Sequence, residues 1–445
     1  WLLFFILEPM KGNNSFPCPL TQINLSLLIG LLVAFAFIHN TCEAQRKPRI
    51  LISSDIGGTD PDDFQSMIHL LMYANEFQIE GLVASPFENG RKKDFIKIIN
   101  LYEKDLPKLN AKGKGFPSAS DLRDICKQGS IPAAPFKGYA NATEGSDWII
   151  ECAKRKSEQP LWLLVWGGIE DVAQAVHDAP EIKQKIRVYW IGGPNKKWSI
   201  NAYNYIAEHH PDLWMIENNA TYRGWMMDEE SPAKLKSKAF YSNYIKGYGE
   251  MGKDFINYYN GNIKMGDTPS LAYLIKGNPN KPSGESWGGS FTQLNRSAKK
   301  IFIGNSGVND TVAVYGILEW HFIGPALNID KDSVCFEFET GGQQWPGYYI
   351  GNGTYAVRYS SKKPETGSYK IKSNIKELDG QSGNYVSVSP WPGKPNEDDF
   401  KVGAHWYSDR DKPELFLGDQ QGARTISKYR SEFLMDWAKR WSWLK

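Results

Sequence analysis

Ile50-Leu51-Ile52-Ser53-Ser54-Asp55-Ile56-Gly57-Gly58-Thr59-Asp60-Pro61-Asp62-Asp63 decides how the rest of the chain is read. Its first five residues continue a short β-rich run from Pro48. The run stops at Asp55, two glycines allow a turn, and a periodic apolar stretch follows with Met67, Leu70, Leu71 and Met72. That order is strand, loop, helix. Working outward, 79–84 is a second strand, apolar apart from Glu80 and Gly81, and 161–166 is a continuous apolar run of the kind that a parallel sheet covered on both faces requires. Residues 147–156 and 172–176 carry helical patterns, and 186–191 is a further strand ending at Gly192-Gly193-Pro194. Strands alternating with helices predict an α/β class, a mostly parallel wound sheet. Loops at the carboxyl ends of such strands converge on one crevice. Asp55 to Asp63, Ser85-Pro86, Trp166-Gly167-Gly168 and Gly192-Gly193 are therefore expected to share a neighbourhood.

Composition changes after Gly288. Over 311–373 short alternating segments, Val334-Cys335-Phe336-Glu337-Phe338 and Tyr355-Ala356-Val357-Arg358-Tyr359, are separated by turns such as Gly351-Asn352-Gly353. This predicts a smaller antiparallel β-sandwich module. Residues 380–395, rich in Gly, Ser and Pro, read as its exit loop. Helix returns over 427–443 with Phe433, Leu434, Trp437 and Trp441 on one stripe, expected to pack back on the first domain and so make the β module an insertion. The expected division is an N-terminal leader at 1–44, an α/β domain at 45–305, the sandwich at 306–395 and a returning segment at 396–445.

Lys and Arg number 52 against 50 Asp and Glu, a net charge of +2, so no overall field gathers nucleic acid or an anionic bilayer. The 16 Trp and 22 Tyr supply flat rings that suit sugar faces as well as cores. Residues 25–38 form an apolar stretch of signal-peptide length, short for a bilayer span, with Ala44 as the small residue before a cleavage point. Met10 is the better start. The reading is an exported bacterial protein, periplasmic or extracellular, with no stable membrane insertion once the leader is removed; the alternative is a retained anchor. Beyond the leader only Cys126, Cys152 and Cys335 occur, which supports neither a disulfide framework nor a cysteine metal site.

Asp55, Asp60, Asp62 and Asp63 place four carboxylates within nine residues directly after a buried strand, with no Lys or Arg inside the motif. Hard oxygen ligands at this density suit Ca²⁺ or Mg²⁺. The competing reading is an Asx-turn and helix cap at Pro61-Asp62-Asp63, which needs one Asp and not four. Elsewhere, Asn204 is a candidate partner for a sugar hydroxyl or a surface Asn. Trp287 beside Gly288-Gly289 is a sugar platform or a core residue, and Ser85 is a strand-end substrate contact. His69 reads as structural, and His209-His210 as an exposed helix start.

These segments resemble the nucleoside hydrolases. The strand and its Asp-rich loop look like that family's N-terminal metal-binding motif. Leu163 to Ala173, containing Trp166-Gly167-Gly168-Ile169-Glu170-Asp171, is similar to its Gly-Pro-Leu-Thr-Asn turn. Val188 to Gly193 resembles its Met-Gly-Gly strand end, Ala202-Tyr203-Asn204 its Glu-Phe-Asn, and Gly266-Asp267-Thr268-Pro269-Ser270-Leu271 its late His-Asp motif. With Pro282 to Gly289, the chain is most similar to the nucleoside-hydrolase-like branch of cellulose-binding, Sde-type proteins, over 47–291 and again near 422–443. The β segment resembles a small sandwich that accompanies some glycoside hydrolases.

The resemblance implies Asp55, Asp63 and Asp267 as carboxylate ligands of Ca²⁺, with the Trp166 carbonyl as a backbone ligand. It implies Asp62 as general base, in competition with Asp60 because the loop is three residues longer than the family's simple form. Gly266 stands where the family often has His, which removes a leaving-group acid and counts against nucleosides. The resulting expectation is an exported, metal-dependent glycosyl hydrolase that uses direct attack by water on a furanose or related plant or algal saccharide. The alternatives are a non-catalytic carbohydrate-binding protein and an inosine-uridine-type nucleoside N-ribohydrolase.

Overall fold

All six residues of β1 (Arg49–Ser54) are buried, and their alternation sets the architecture. Ile50 and Ile52 point into one apolar core, while Leu51 points into a second on the opposite face. Leu164 and Leu163 in β4, and Tyr189 and Val188 in β5, divide the same way. A strand of period two that carries apolar residues on both faces can only be satisfied between two layers. The chain supplies them as helices Asp62–Met72, Lys92–Asn110, Thr268–Ile275 and Arg430–Trp441 on one side, and Glu144–Lys154, Glu170–Asp178 and Ile200–His209 on the other.

The structure is a computed structural model and describes residues 46–85 and 90–445, with Lys47 to Lys445 as one unit. The expected leader at 1–44, and Pro86, lie outside the described residues. Among the described residues the first sheet runs in the order β3 (Cys126–Gln128), β2 (Gln78–Ala84), β1, β4 (Leu161–Val165), β5 (Ile186–Ile191), β6 (Met215–Asn218), β18 (Trp406–Asp409), β7 (Phe291–Gln293). Every pairing is parallel except β18 with β7, so the wound α/β reading holds.

A second eight-stranded sheet forms the β-sandwich module. It takes β9 (Lys299–Ile303), β10 (Thr311–Ala313), β11 (Ile317–Ile323), β12 (Val334–Thr340), β13 (Gln343–Gly351), β14 (Thr354–Tyr359), β15 (Glu365–Ser373) and β16 (Ser382–Val388). Its pairings are antiparallel apart from β9 with β11 and β10 with β16, and it has its own core of Trp320, Phe336, Phe338, Tyr369 and Tyr385. β8 (Arg296–Ser297) and β17 (Phe400–Lys401) pair separately.

Two expectations are corrected. The stretch 380–395 is not all loop: β16 lies inside it, because Gly383 opposite Tyr369 lets that ring lie across the strand, where a Cβ would meet the Tyr369 hydroxyl at 2.5 Å. His209-His210 ends helix Ile200–His209 and does not begin a helix, and His210 is buried with its ring 3.2 Å from the Tyr205 hydroxyl.

The module is fastened to the α/β body by charge. Glu319, 3% exposed, takes Arg358 Nε at 2.5 Å, Lys299 Nζ at 2.8 Å and His321 Nε2 at 2.6 Å. Arg358 in turn donates Nη1 to the Phe136 carbonyl at 2.6 Å and to Asn201 Oδ1 at 3.3 Å, both in the body. Burial alone would push the Glu319 carboxyl up, but Arg358, His321 and Lys299 hold it well below the usual range.

Candidate active site

The site begins where β1 ends. Gly58 N–H closes a turn onto the Asp55 carbonyl at 2.8 Å, and Gly57 adopts φ +83°, which leaves room for Asp94. Asp62 and Asp63 are the first two residues of helix Asp62–Met72, and Asp267 stands immediately before helix Thr268–Ile275. Helix N-termini favour carboxylates, and here two of them present their acids to one another. Asp62, Asp63 and Asp267 are all buried, and each offers an oxygen within 4.8 Å of the others.

Their surroundings are polar and specific. Ser54 Oγ donates to Asp63 Oδ1, Ser66 Oγ to Asp267 Oδ2 at 3.3 Å, and Gly266 N to Asp62 Oδ2 at 3.0 Å. Trp166 Nε1 donates to Ser270 Oγ at 2.8 Å, and that hydroxyl donates to the Asp267 carbonyl at 2.7 Å, which ties the late motif to the end of β4.

Burial, then the neighbouring carboxylates, raises these acids. Desolvation followed by Asp60 pushes Asp62 up to about 7, and desolvation, tempered by a hydrogen bond with Asp63, brings Asp55 to about 6. Asp63 is driven well above the ordinary range by burial, then by Asp267, Asp55 and Asp62, and Asp267 by burial, then by Asp62, Asp55 and Asp60. Buried carboxylates this close are relieved either by protons or by a cation of high charge and oxygen preference, so the donor set fits a hard divalent ion.

The structure arranges the expected residues unevenly. Asp62, Asp63 and Asp267 form the group whose oxygens lie within 4.8 Å of one another, and Asp55 is joined to it by a hydrogen bond with Asp63. Asp60 is half exposed and ion-paired with Lys264, whose Nζ also stands 3.9 Å from Asp62 Oδ1. The Trp166 carbonyl accepts from Asn195 Nδ2 at 3.4 Å. Ser85 is buried, hydrogen-bonds with Asp171 and lines one cleft with Asp55.

Asn204 and Trp287 are corrected. Asn204 Nδ2 donates to Glu208 at 3.1 Å and its Oδ1 accepts from Lys299 Nζ at 3.1 Å, so the side chain serves the module junction. Trp287 is buried edge-on to Phe433 with Nε1 donating to Glu432 at 3.3 Å, and it packs as a core residue.

Four residues not singled out belong to the site. Lys264, beside Asp60 and Asp62, has been described; Glu170, Asn195 and Trp198 line the cleft with Ser85 and Asp55. Both Glu170 oxygens accept from Ser199 Oγ, at 2.9 and 2.8 Å, and burial, tempered by that hydroxyl, pushes the carboxyl up to about 7. The glycine pair makes the arrangement possible: a Cβ on Gly167 would meet Asp55 Cγ at 2.6 Å, and one on Gly168 would meet Glu170 Oε2 at 2.2 Å. Trp198 packs against Trp345 of the module, ring centroids 4.5 Å apart, so the module borders the cleft. A side chain at Gly266 would strike Asp62 Oδ2 at 2.6 Å, so no histidine fits there without moving the acid. The signal for Glu170 was its place directly after the Gly-Gly turn.

The family profile described as Cellulose-binding Sde182, nucleoside hydrolase-like domain, matches residues 49–291. A domain of unknown function, DUF5060, matches 311–374. Among solved structures, a nucleoside hydrolase-related protein of Saccharophagus degradans associated with carbohydrate metabolism is 17% identical over 77% of this chain and 100% of its own, with a TM-score of 0.47. The inosine-uridine preferring nucleoside hydrolase of Bacillus anthracis is 13% identical over 77% and 95%, TM-score 0.37. A putative glycoside hydrolase of Bacteroides vulgatus is 20% identical over 18% and 16%, TM-score 0.15. No curated protein matches the chain.

Proposed function

The chain belongs to the Sde182 nucleoside hydrolase-like family, and from that premise we propose that it hydrolyses a glycosidic bond of a furanose or related plant or algal saccharide. The observation that carries this is the meeting of Asp62, Asp63 and Asp267, from distant parts of the chain, beside a cleft lined by Asp55 and Glu170. Asp63, Asp267 and Asp55 would hold the cation, Ca²⁺ before Mg²⁺, with the Trp166 carbonyl as a further ligand. Bound there, it supplies Lewis acidity to a water and to sugar hydroxyls.

The chain's own residues do the rest. Asp62, held by Gly266 N–H and faced by Lys264, removes a proton from the attacking water. Asp60 is less suited, being committed to Lys264. Glu170, its carboxyl raised to about 7, gives a proton to the departing atom, the role that Gly266 leaves vacant. Water's oxygen bonds to the anomeric carbon as the glycosidic bond breaks, so the configuration inverts.

The same proposal takes 45–305 as the catalytic domain, 306–395 as an accessory module and 396–445 as a segment returning to the first sheet, with the pairing of β9 to β11 moving the start of the module forward to Lys299. The return of β18 between β6 and β7 supports that division. It also takes the protein as exported to the periplasm or beyond, with maturation after Ala44, which N-terminal sequencing of the product checks. No helix among the described residues is long and apolar enough to cross a membrane.

The test is a screen of furanosides, nucleosides and plant oligosaccharides with and without EDTA, for wild type and Asp62→Asn. Turnover abolished by EDTA and by the variant, with the ion still bound in the variant, is expected. Unchanged turnover in Asp62→Asn rejects the base. Binding without turnover on every substrate favours the second reading, a carbohydrate-binding protein, which the family's description supports. Turnover of nucleosides alone favours an N-ribohydrolase.

A further inference from the structure

At the other end of the sheet lies a groove of about 640 Å³ with the opposite chemistry. It opens where the parallel strands begin, at Arg49 of β1, Pro160 before β4, Arg187 in β5, Trp214 before β6 and His405 before β18. With β1 six residues long and a rise near 3.3 Å per residue, it stands roughly 20 Å from the Asp cluster. Six Lys and Arg line it, against Glu158 and Asp212.

Three of those cations have their acids: Arg49 and Arg155 share buried Glu80, and Lys183 pairs with Asp212 at 2.7 Å. Among the described residues, Lys156, Lys185 and Arg187 form no ion pair. Arg187 is the informative one. Its guanidinium is half-buried beside an edge-to-face pair of indole rings, 5.5 Å from the Trp162 centroid and 5.2 Å from that of Trp214, and its polar partner is the neutral Asn280. Burying a guanidinium without a carboxylate is costly. Packing against the ring pair, together with the bond to Asn280, also narrows the orientations of its fork, which suits a planar acid group. Trp214 and Tyr407, both part-exposed, flank it 5.6 Å apart and provide apolar surface beside the charge.

We infer that this groove is a second saccharide site, for an anionic sugar whose acid group is gripped by Arg187 while its ring rests on Trp214. A uronate chain offers both parts in each unit, a carboxylate and an apolar ring face; a sulfated sugar shares the chemistry. Nucleic acid fits less well. The net charge of +2 provides no field for a phosphate backbone, and Glu158 and Asp212 interrupt the groove's cations, so they form no continuous basic track.

The test is binding by the full chain, followed by calorimetry, of tetragalacturonate, the neutral β-1,4-galactotetraose, a sulfated galactan tetrasaccharide and a thymidine decanucleotide. Galacturonate or sulfated oligomer is expected to bind at least about tenfold more tightly than the neutral one, and more weakly as salt rises. Arg187→Gln should lose about tenfold or more, and Lys185→Gln, on an exposed side chain, a few-fold without disturbing the fold. Asp62→Asn should bind as wild type, which separates this site from the catalytic proposal. Equal affinity for the neutral oligomer, wild-type affinity in both groove variants, loss of affinity in Asp62→Asn, or tightest binding to the decanucleotide would each overturn the assignment.

Discussion

The ammonium of Lys264 sits on the carboxylate of Asp60, 204 positions away in sequence, and stands 3.9 Å from Asp62 Oδ1. It is the cation nearest to a crowded set of acids, and it divides the two candidate bases. Asp60 is ion-paired at the half-exposed rim, while Asp62 is buried and accepts the Gly266 N–H at 3.0 Å. Asp60→Asn should therefore lower kcat less than about tenfold, whereas Asp62→Asn should lower it by about 10²–10⁴. Steady-state kinetics on one substrate decides, and equal losses would remove the distinction.

Asp267→Asn should weaken ion binding far more than Asp60→Asn, because Asp267 is one of the three buried acids that meet and Asp60 is not. An ion bound only to the fold at a hundred times its Kd adds about 2.7 kcal/mol. Thermal unfolding with graded CaCl₂ should show that gain in wild type and lose it in Asp267→Asn.

Glu170→Gln should depend on the leaving group. For alkyl or nucleobase departure a loss of about 10²–10⁴ in kcat is expected, and for p-nitrophenolate, which leaves unprotonated, less than about tenfold. Uniform losses across both classes would assign Glu170 a structural role through Ser199.

Glu319→Gln should destabilise by about 3–5 kcal/mol, since it leaves Arg358 and Lys299 buried without their acid. Urea unfolding measures the loss. Replacing Glu319, Arg358 and Lys299 together by apolar residues should recover much of it, and failure to do so would mean that packing, not charge, holds the module.

His69, buried against Tyr73, Trp225 and Trp437, has its pKa lowered to about 3 by burial and then by Arg440. Below its ordinary 6.5 the unfolded chain takes a proton that the folded chain refuses, so stability falls as pH falls between about 6.5 and 3. By pH 4.5 this one group removes about 2–3 kcal/mol. His69→Phe should flatten that limb of the pH–stability curve, and an unchanged slope would assign the acid sensitivity elsewhere.

Much of the fold was legible because β1, β4 and β5 are buried on both faces and show it as apolar runs, Ile50 to Ile52 in β1, all of β4, and β5 apart from Arg187. The Asp cluster was legible because four like charges after such a run have no cheap local explanation. What was hidden depended on contacts far along the chain. Lys264 lies in an ordinary polar stretch until the fold carries it to Asp60. Asn204 occupied the right place in the pattern, but its helix points it at Lys299 of β9. Trp287 beside Gly288-Gly289 allowed a sugar platform as well as a core residue, and the contact that decides between them is tertiary: a Cβ on Gly288 would meet the Pro269 carbonyl at 2.1 Å, the mark of tight interior packing. β18 has four residues and owes its place to neighbours on both sides, so local composition says little about it.

The position of β18 also bears on how the polypeptide is made. The strand that sits between β6 and β7 is synthesised after the entire module, so a nascent chain emerging from the ribosome reaches Gln293 with a gap in its first sheet. β9 to β16 are contiguous and can pair as they appear, which makes the later unit the earlier to mature. Until Asp409 is translated, the edge of β6 stays open, and that interval is when a chaperone would have most to protect.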